Sequence, residues 1–247
     1  MIKFTHQSTA NGDILAVERN GTRATTAIDA KRHAPLSGLA TASVAYANGG
    51  ADAFAKYLPE PALEHVRSNV APPMLAALGR AMHLASAERR AVAETDARLR
   101  AVPESVDMRH EAERRARVAA MDRATQMAFV QSADITDLAA LVARGNLAAI
   151  SPEAFEVAAD RYLALAHVER SASHSLHPLR PSLELLSPTG PDMAAAEAAA
   201  QASIAQHNDR RAALDEVEQA LQNTLSVLAV SLDAQPSDVL DAVLAAS

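Results

Sequence analysis

Alanine occupies 58 of the 247 positions, almost half of the 49% hydrophobic fraction, and this constrains the fold more than any motif. It is the strongest helix former because it loses no side-chain entropy and buries no polar group. A mainly α fold is therefore expected: an alanine-rich helical bundle. With 21% charged residues the composition is that of a globular protein, not a disordered one. Methyl-faced helices approach closely, near the lower end of the ~8–10 Å interaxial range, but each such contact buries little area. Such a chain is expected to draw on many small contacts or on neighbouring molecules.

The first thirty residues depart from the helical pattern. Asn20-Gly21 separates Ile14–Arg19 from Thr22–Ile28, and Asn-Gly supplies the two positive φ angles of a type I′ hairpin turn. A two-residue loop sets Glu18 opposite Arg23, a favourable cross-strand pair. It also puts Leu15 and Val17 on one face with Ala24 and Thr26. Asn11-Gly12 after Ile2–Thr5 allows a third strand, making a small meander. A lone hairpin is marginal in water, so this element should pack on helices or pair with another chain.

From Ser37 the pattern turns helical. Short segments over Asp52–Leu58 and Pro61–Asn69 are expected to be broken by Gly49-Gly50, Pro59, Pro61 and Pro72-Pro73. Leu75, Leu78, Met82, Ala85, Arg89, Val92, Asp96 and Leu99 then alternate steps of three and four, the spacing of a coiled-coil seam. Two charged positions weaken that seam, and the solvated end of an ordinary amphipathic helix is the favoured reading. Pro103 should end this helix, with Glu104–Gln131 forming the next. Asp134–Arg144 reads as a shorter helix stopped by Gly145 at a left-handed C′ position. Ser151-Pro152-Glu153 combines an N-cap, a first-turn proline and an acid at the positive dipole end. Phe155, Ala159, Tyr162 and Ala166 should mark the buried face of the following helix, which fades near Ser171.

Residues 173–191 hold four prolines, one glycine and four serines, which is linker chemistry, although five leucines suggest that the segment lies against something. Beyond it Asp192 opens a helical run of about forty residues to Asp233, roughly 60 Å if unbroken. Leu214, Val217, Leu221, Leu225, Leu228 and Leu232 form its apolar stripe. Pro236 should break the run and Ser237-Asp238 cap a last helix, Val239–Ala246. The organisation read this way is a β-hairpin region at 1–33, a helical body at 34–172, a connector at 173–191 and an acidic helical segment at 192–247. Residues 1–191 are neutral overall, so the whole net charge of −7 lies in the last segment, which has two bases and nine acids. Such a segment either docks on a partner or folds back on its own body with its acids in water.

Most chemistry-bearing patterns are missing. There is no G-x-x-x-x-G-K-[ST], G-x-G-x-x-G or H-E-x-x-H, and no Glu-x-x-His of a di-iron bundle. The lack of cysteine removes disulfides, thiolate ligands and cysteine nucleophiles. Asp107, His110 and Glu113 can share a helix face among Arg109, Arg114, Arg115, Arg117 and Arg123, and a solvated salt-bridged face is favoured there over a metal site. His174 and His177 lack an evident third ligand. Glu111, Glu113 and Asp122 interrupt the basic cluster, and a pI near 5.7 with 3% aromatic residues argues against nucleic acid as a partner. Arginine outnumbers lysine 20 to 3, which fits GC-rich codon usage better than anion recognition. No catalytic, cofactor-binding or metal residue is singled out, and no cofactor is expected.

The leading expectation is a non-enzymatic structural or assembly protein acting through helix-mediated contacts. Its partners would be copies of itself, as a homo-oligomer, or other proteins, a virion or another large complex being one instance. The second is a helical enzyme or ligand-binding regulator with an inter-helix pocket lined by residues such as His83, His110, Tyr162 or His167. Met1 to Ala10 has no apolar signal core, and no stretch approaches the ~20 apolar residues of a membrane span. The expected setting is the cytoplasm or a soluble assembly.

Overall fold

The structure, a computed structural model, describes residues 2–99, 108–143, 150–183 and 186–246. Strands β1 (Ile2–Thr9), β2 (Gly12–Arg19) and β3 (Thr22–Ile28) form an antiparallel meander in that order. The helices are α1 (Ser37–Lys56), α2 (Pro59–His65), α3 (Ala71–Leu99), α4 (Met108–Ala119), α5 (Arg123–Ser132), α6 (Ile135–Val142), α7 (Pro152–Ser171), α8 (Met193–Leu232) and α9 (Pro236–Ala246). The chain divides into two compact units, Met1–Val92 with Arg210–Ser247, and Ala93–Asp209. Both divisions fall inside long helices, α3 and α8.

In the first unit the hairpin follows its local chemistry. Asn20 and Gly21 have φ of 49° and 85°, Glu18 faces Arg23, and Leu15 and Val17 pair with Thr26 and Ala24. The first turn differs from the second. Strand β1 runs on to Thr9, which pairs with Gly12, and within Asn11-Gly12 only the glycine has positive φ. Leu15, Val17 and Ile28 are fully buried against Leu36, Leu39, Tyr46, Met74, Leu78 and Leu228. Alanines fill the spaces between these large side chains, so this core is not built of methyl groups alone.

Residues 210–232 of the acidic helix fold back on their own chain. Val217, Leu221, Leu228 and Leu232 are buried in the first unit's core, Leu214 is also buried, and Leu225 is half-buried. The Thr26 hydroxyl donates to the Ala220 carbonyl at 3.2 Å and lies 3.1 Å from that of Thr224. Tyr46 and Ser231 share a buried hydrogen bond of 2.5 Å, and burial pushes the Tyr46 phenol above its ordinary pKa. The acids face outward, where Glu216 meets Arg32, and Asp215 meets Arg89. The helix ends at Asp233, whose φ is 52°, and the Arg67 guanidinium donates to the Leu232 carbonyl at 2.6 and 3.0 Å. A cation there complements the negative end of the helix dipole.

Several expected breaks are absent for packing reasons. Helix α1 passes unbroken through Gly49-Gly50. A Cβ on Gly50 would stand 2.6 Å from the Phe4 ring, and one on Gly49 would stand 2.8 Å from Val70. Close approach offsets the ~0.5–1 kcal/mol helix penalty of each glycine. At Pro59 and Pro236 the expected breaks do occur, α1 stopping at Lys56 and α8 at Leu232, and each proline opens the next helix, with Pro61 in the first turn of α2. Pro72-Pro73 follows a π-helical turn over Val66–Val70, with the Ala71 N–H bonded to the Val66 carbonyl. The wider turn hands over to two residues that have no N–H to donate. On α3, Met74, Ala77, Leu78, Ala81 and Ala85 are all buried. That face is broader than a coiled-coil seam and belongs to a globular core.

In the second unit the expected helix Glu104–Gln131 is two helices, α4 and α5. Asp122 caps α5, accepting from the Thr125 N–H and hydroxyl, each at 2.9 Å, and these bonds hold its carboxyl below the usual range. The buried Gln126 amide donates to the carbonyls of Val118 and Met121 and accepts from the Ser151 N–H. It thereby pins the end of α4 to the start of α7. Asp134 caps α6 and Ser151 caps α7, with Pro152 in its first turn, as the residue types require. Tyr162 and Ala166 are buried, but the fully buried line on α7 also runs through Ala154 and Ala158, leaving Phe155 and Ala159 half-buried. The expected stops at Pro103 and Gly145, and Asp107 beside His110, lie outside the described residues.

Helix α7 meets the first turns of α8 through Ala164, Val168, Ala196 and Ala200, a contact made largely of methyl groups. A polar clamp reinforces it. Arg161 donates to Glu197 from Nε at 2.8 Å and from one terminal nitrogen at 3.1 Å, and its other terminal nitrogen donates to the carbonyls of Val130 at 2.6 Å and Ala133 at 3.2 Å.

Candidate functional site

The segment between α7 and α8 is a closed loop. Helix α7 ends at Ala172, in the left-handed region, and a 3-10 turn covers Ser173–Leu176. Pro178 and Pro191 then form an antiparallel bridge. The Leu179 N–H donates to the Gly190 carbonyl at 3.1 Å, and the Asp192 N–H to the His177 carbonyl at 2.6 Å. Asp192 also accepts from the Ala195 N–H at 3.0 Å, capping α8. Compact loops with joined ends are frequently functional.

The leucines, which suggested that the connector lies against something, find little cover in their own unit. Leu176 is 75% exposed, Leu183 99% and Leu186 76%; Leu179 is also exposed, and Leu185 lies outside the described residues. The physical reason is the clasp, which ties both ends of residues 178–191 together and leaves the apolar tip no packing partner in its own unit. In dilute solution, where single chains prevail, this loop should be the first of the described loops to be cut in limited proteolysis by a leucine-accepting protease. Mass spectrometry should place the cut at Leu183 or Leu186. A first cut at another described loop would show that the tip is protected.

In the first unit a cleft of about 520 Å³ lies between the β2–β3 turn and the α8–α9 turn. Arg19 and Asp233 bridge there at 2.8 Å, while the other terminal nitrogen of Arg19 is buried without a partner. Asp238 adds a second acid, and the Ser226 hydroxyl is committed to the Gln222 carbonyl at 3.0 Å. On the sheet, Asp13 receives the Ser8 hydroxyl at 2.5 Å and lies 3.2 Å from His6 Nε2. The carboxylate stands between hydroxyl and imidazole. A serine nucleophile needs the imidazole in that middle place, so this arrangement does not activate Ser8.

In the second unit a small cavity of about 10 Å³ lies among Asp96, Leu99, Leu163, Ile204 and His207, room for about one water molecule. His83 in the first unit and His110, Tyr162 and His167 in the second line neither of these spaces. Tyr162 is buried, and burial raises its phenol pKa. The basic cluster on α4 faces acids of its own unit. Arg114 lies 2.8 Å from Asp137, with Arg117 at 3.6 Å from the same carboxylate, Arg109 3.5 Å from Glu113 and Arg115 3.7 Å from Glu111. His174 is exposed and His177 half-buried, and the described residues contain no group of three metal-ligating side chains. Among them, no helix is long and apolar enough to cross a membrane.

No protein-family model, curated protein or solved structure gives a significant match to this chain.

Proposed function

We propose that the chain is a non-enzymatic assembly protein, and that a second copy packs on the leucine tip of loop 178–191 and on the adjoining start of α8. The observation that carries this reading is the exposure of Leu183 and Leu186 in a loop whose base is tied shut. Fully burying a leucine contributes about 1.5–3 kcal/mol relative to leaving it in water, and the clasp removes much of the ordering cost in advance. An apolar patch is complementary to itself, as a twofold contact requires. Met193, at the start of α8 next to the loop's base, is a further exposed apolar side chain at 44%. The class proposed is an assembly protein; no residue pattern narrows it to a virion.

Light scattering coupled to size exclusion tests the reading. The full chain is expected at twice its 26.0 kDa mass or more, and Leu183→Ser with Leu186→Ser at the monomer mass with an unchanged helical circular-dichroism spectrum. A wild-type chain that stays monomeric at about 100 µM, weaker than roughly 5 kcal/mol of association, would falsify it.

A further inference from the structure

The other arm of the same loop carries a different chemistry. Pro178-Leu-Arg-Pro181 has the P-x-x-P spacing. Polyproline II has three residues per turn, so that conformation would stack Pro178 and Pro181 on one edge, with His177 and Arg180 on the next. Leu179–Ser182 is neither helix nor strand, and Pro178–Pro181 is exposed throughout. Arg180 precedes a proline, whose ring confines it to extended backbone. Its guanidinium has no acceptor among the described residues. The Leu179 N–H is fixed on Gly190, so the arm is held at its base before any partner arrives.

We propose that residues 178–181 form a ligand for the aromatic-lined groove of a proline-recognising domain in another protein. Ring faces would receive the two prolines, and an acidic rim would receive Arg180. A preformed polyproline II segment loses little entropy on binding, which is why such grooves read this spacing. Arg180 adds stacking on an aromatic face and a charge that a carboxylate can meet. This inference stands on the proline arm and Arg180, not on the leucine tip that carries the self-assembly reading, so the two can fail separately.

The probe is a panel of purified SH3- and WW-type domains, titrated by fluorescence anisotropy against the full-length chain. At least one domain with an acidic groove rim is expected to bind with a micromolar dissociation constant. Pro178→Ala with Pro181→Ala should weaken that binding about tenfold or more, and Arg180→Glu by a similar factor. Leu183→Ser with Leu186→Ser should leave it unchanged while altering the mass in solution. Binding that persists in the proline variant but vanishes in the leucine variant would mean that the groove reads the apolar tip, and the proposal would be wrong. Absence of binding across the panel would equally overturn it, whatever the oligomeric state.

Discussion

Replacing Glu197 with leucine is expected to destabilise the second unit by about 3 kcal/mol, the lower end of the cost of breaking a buried ion pair. The pair is largely removed from water, with Arg161 at 16% and Glu197 at 18% side-chain exposure. Both guanidinium–carboxylate bonds are present, and the remaining arm of Arg161 serves the carbonyls of Val130 and Ala133 at the end of α5. Without Glu197 the guanidinium stays tied to those carbonyls, desolvated and without a countercharge. Arg161→Met with Glu197→Leu together should therefore cost less than Glu197→Leu alone, because the desolvated cation leaves as well. The α7–α8 contact beneath the clamp consists mainly of methyl groups, so little else resists separation. Urea unfolding, with hydrogen exchange read on α7 and the first turns of α8, checks both numbers. A single-variant loss below about 1 kcal/mol, the range of exposed pairs, would show that the clamp is not a stabilising feature.

The same clamp marks the limit of what local pattern can disclose. Arg161 and Glu197 are 36 positions apart, and nothing in the periodicity of either helix links them. Features whose cause lies within a few residues were legible: the Asn20-Gly21 turn, the cap at Ser151, and the stripe from Leu214 to Leu232. Gly49-Gly50 reads locally as a break because its reason is Phe4, a ring from a distant strand. Asp122-Arg-Ala-Thr125 did carry an N-cap signal, but the alanine-rich flanks read equally well as uninterrupted helix. At the candidate site, composition located the loop correctly. That its leucines stand uncovered in their own unit was not legible, because the clasp depends on backbone bonds between His177 and Asp192, and between Leu179 and Gly190. Gly190, with φ of 103°, was the one local sign of a chain turning back on itself.

Gly12→Ala is expected to cost about 3 kcal/mol, the upper range for a residue forced into sparsely populated backbone space, with any clash adding to it. Gly12 has φ of 120°, and a Cβ there would stand 2.5 Å from the Ile28 carbonyl oxygen and 2.8 Å from Asp29 Cα. Both are backbone atoms, so neither can rotate away as a side chain would. The displaced strand end carries further bonds with it. The Asp29 carboxylate accepts from the N–H groups of Lys31 and Arg32, and its carbonyl accepts from that of His33. The buried His33 ring then lies 3.1 Å from Glu216 on α8, beside the 2.7 Å bridge from Arg32. A shift at Gly12 therefore disturbs the route by which the sheet is joined to the acidic helix. Gly21→Ala is the matched control: its φ of 85° is also positive, but nothing lies within 4 Å of the added methyl. It should cost only the left-handed penalty of about 1–2 kcal/mol. Paired urea titrations, with exchange measured on β2, β3 and the second half of α8, decide between strain and contact. Equal losses in the two variants would mean that backbone strain alone matters at Gly12 and that the approach of Ile28 is incidental.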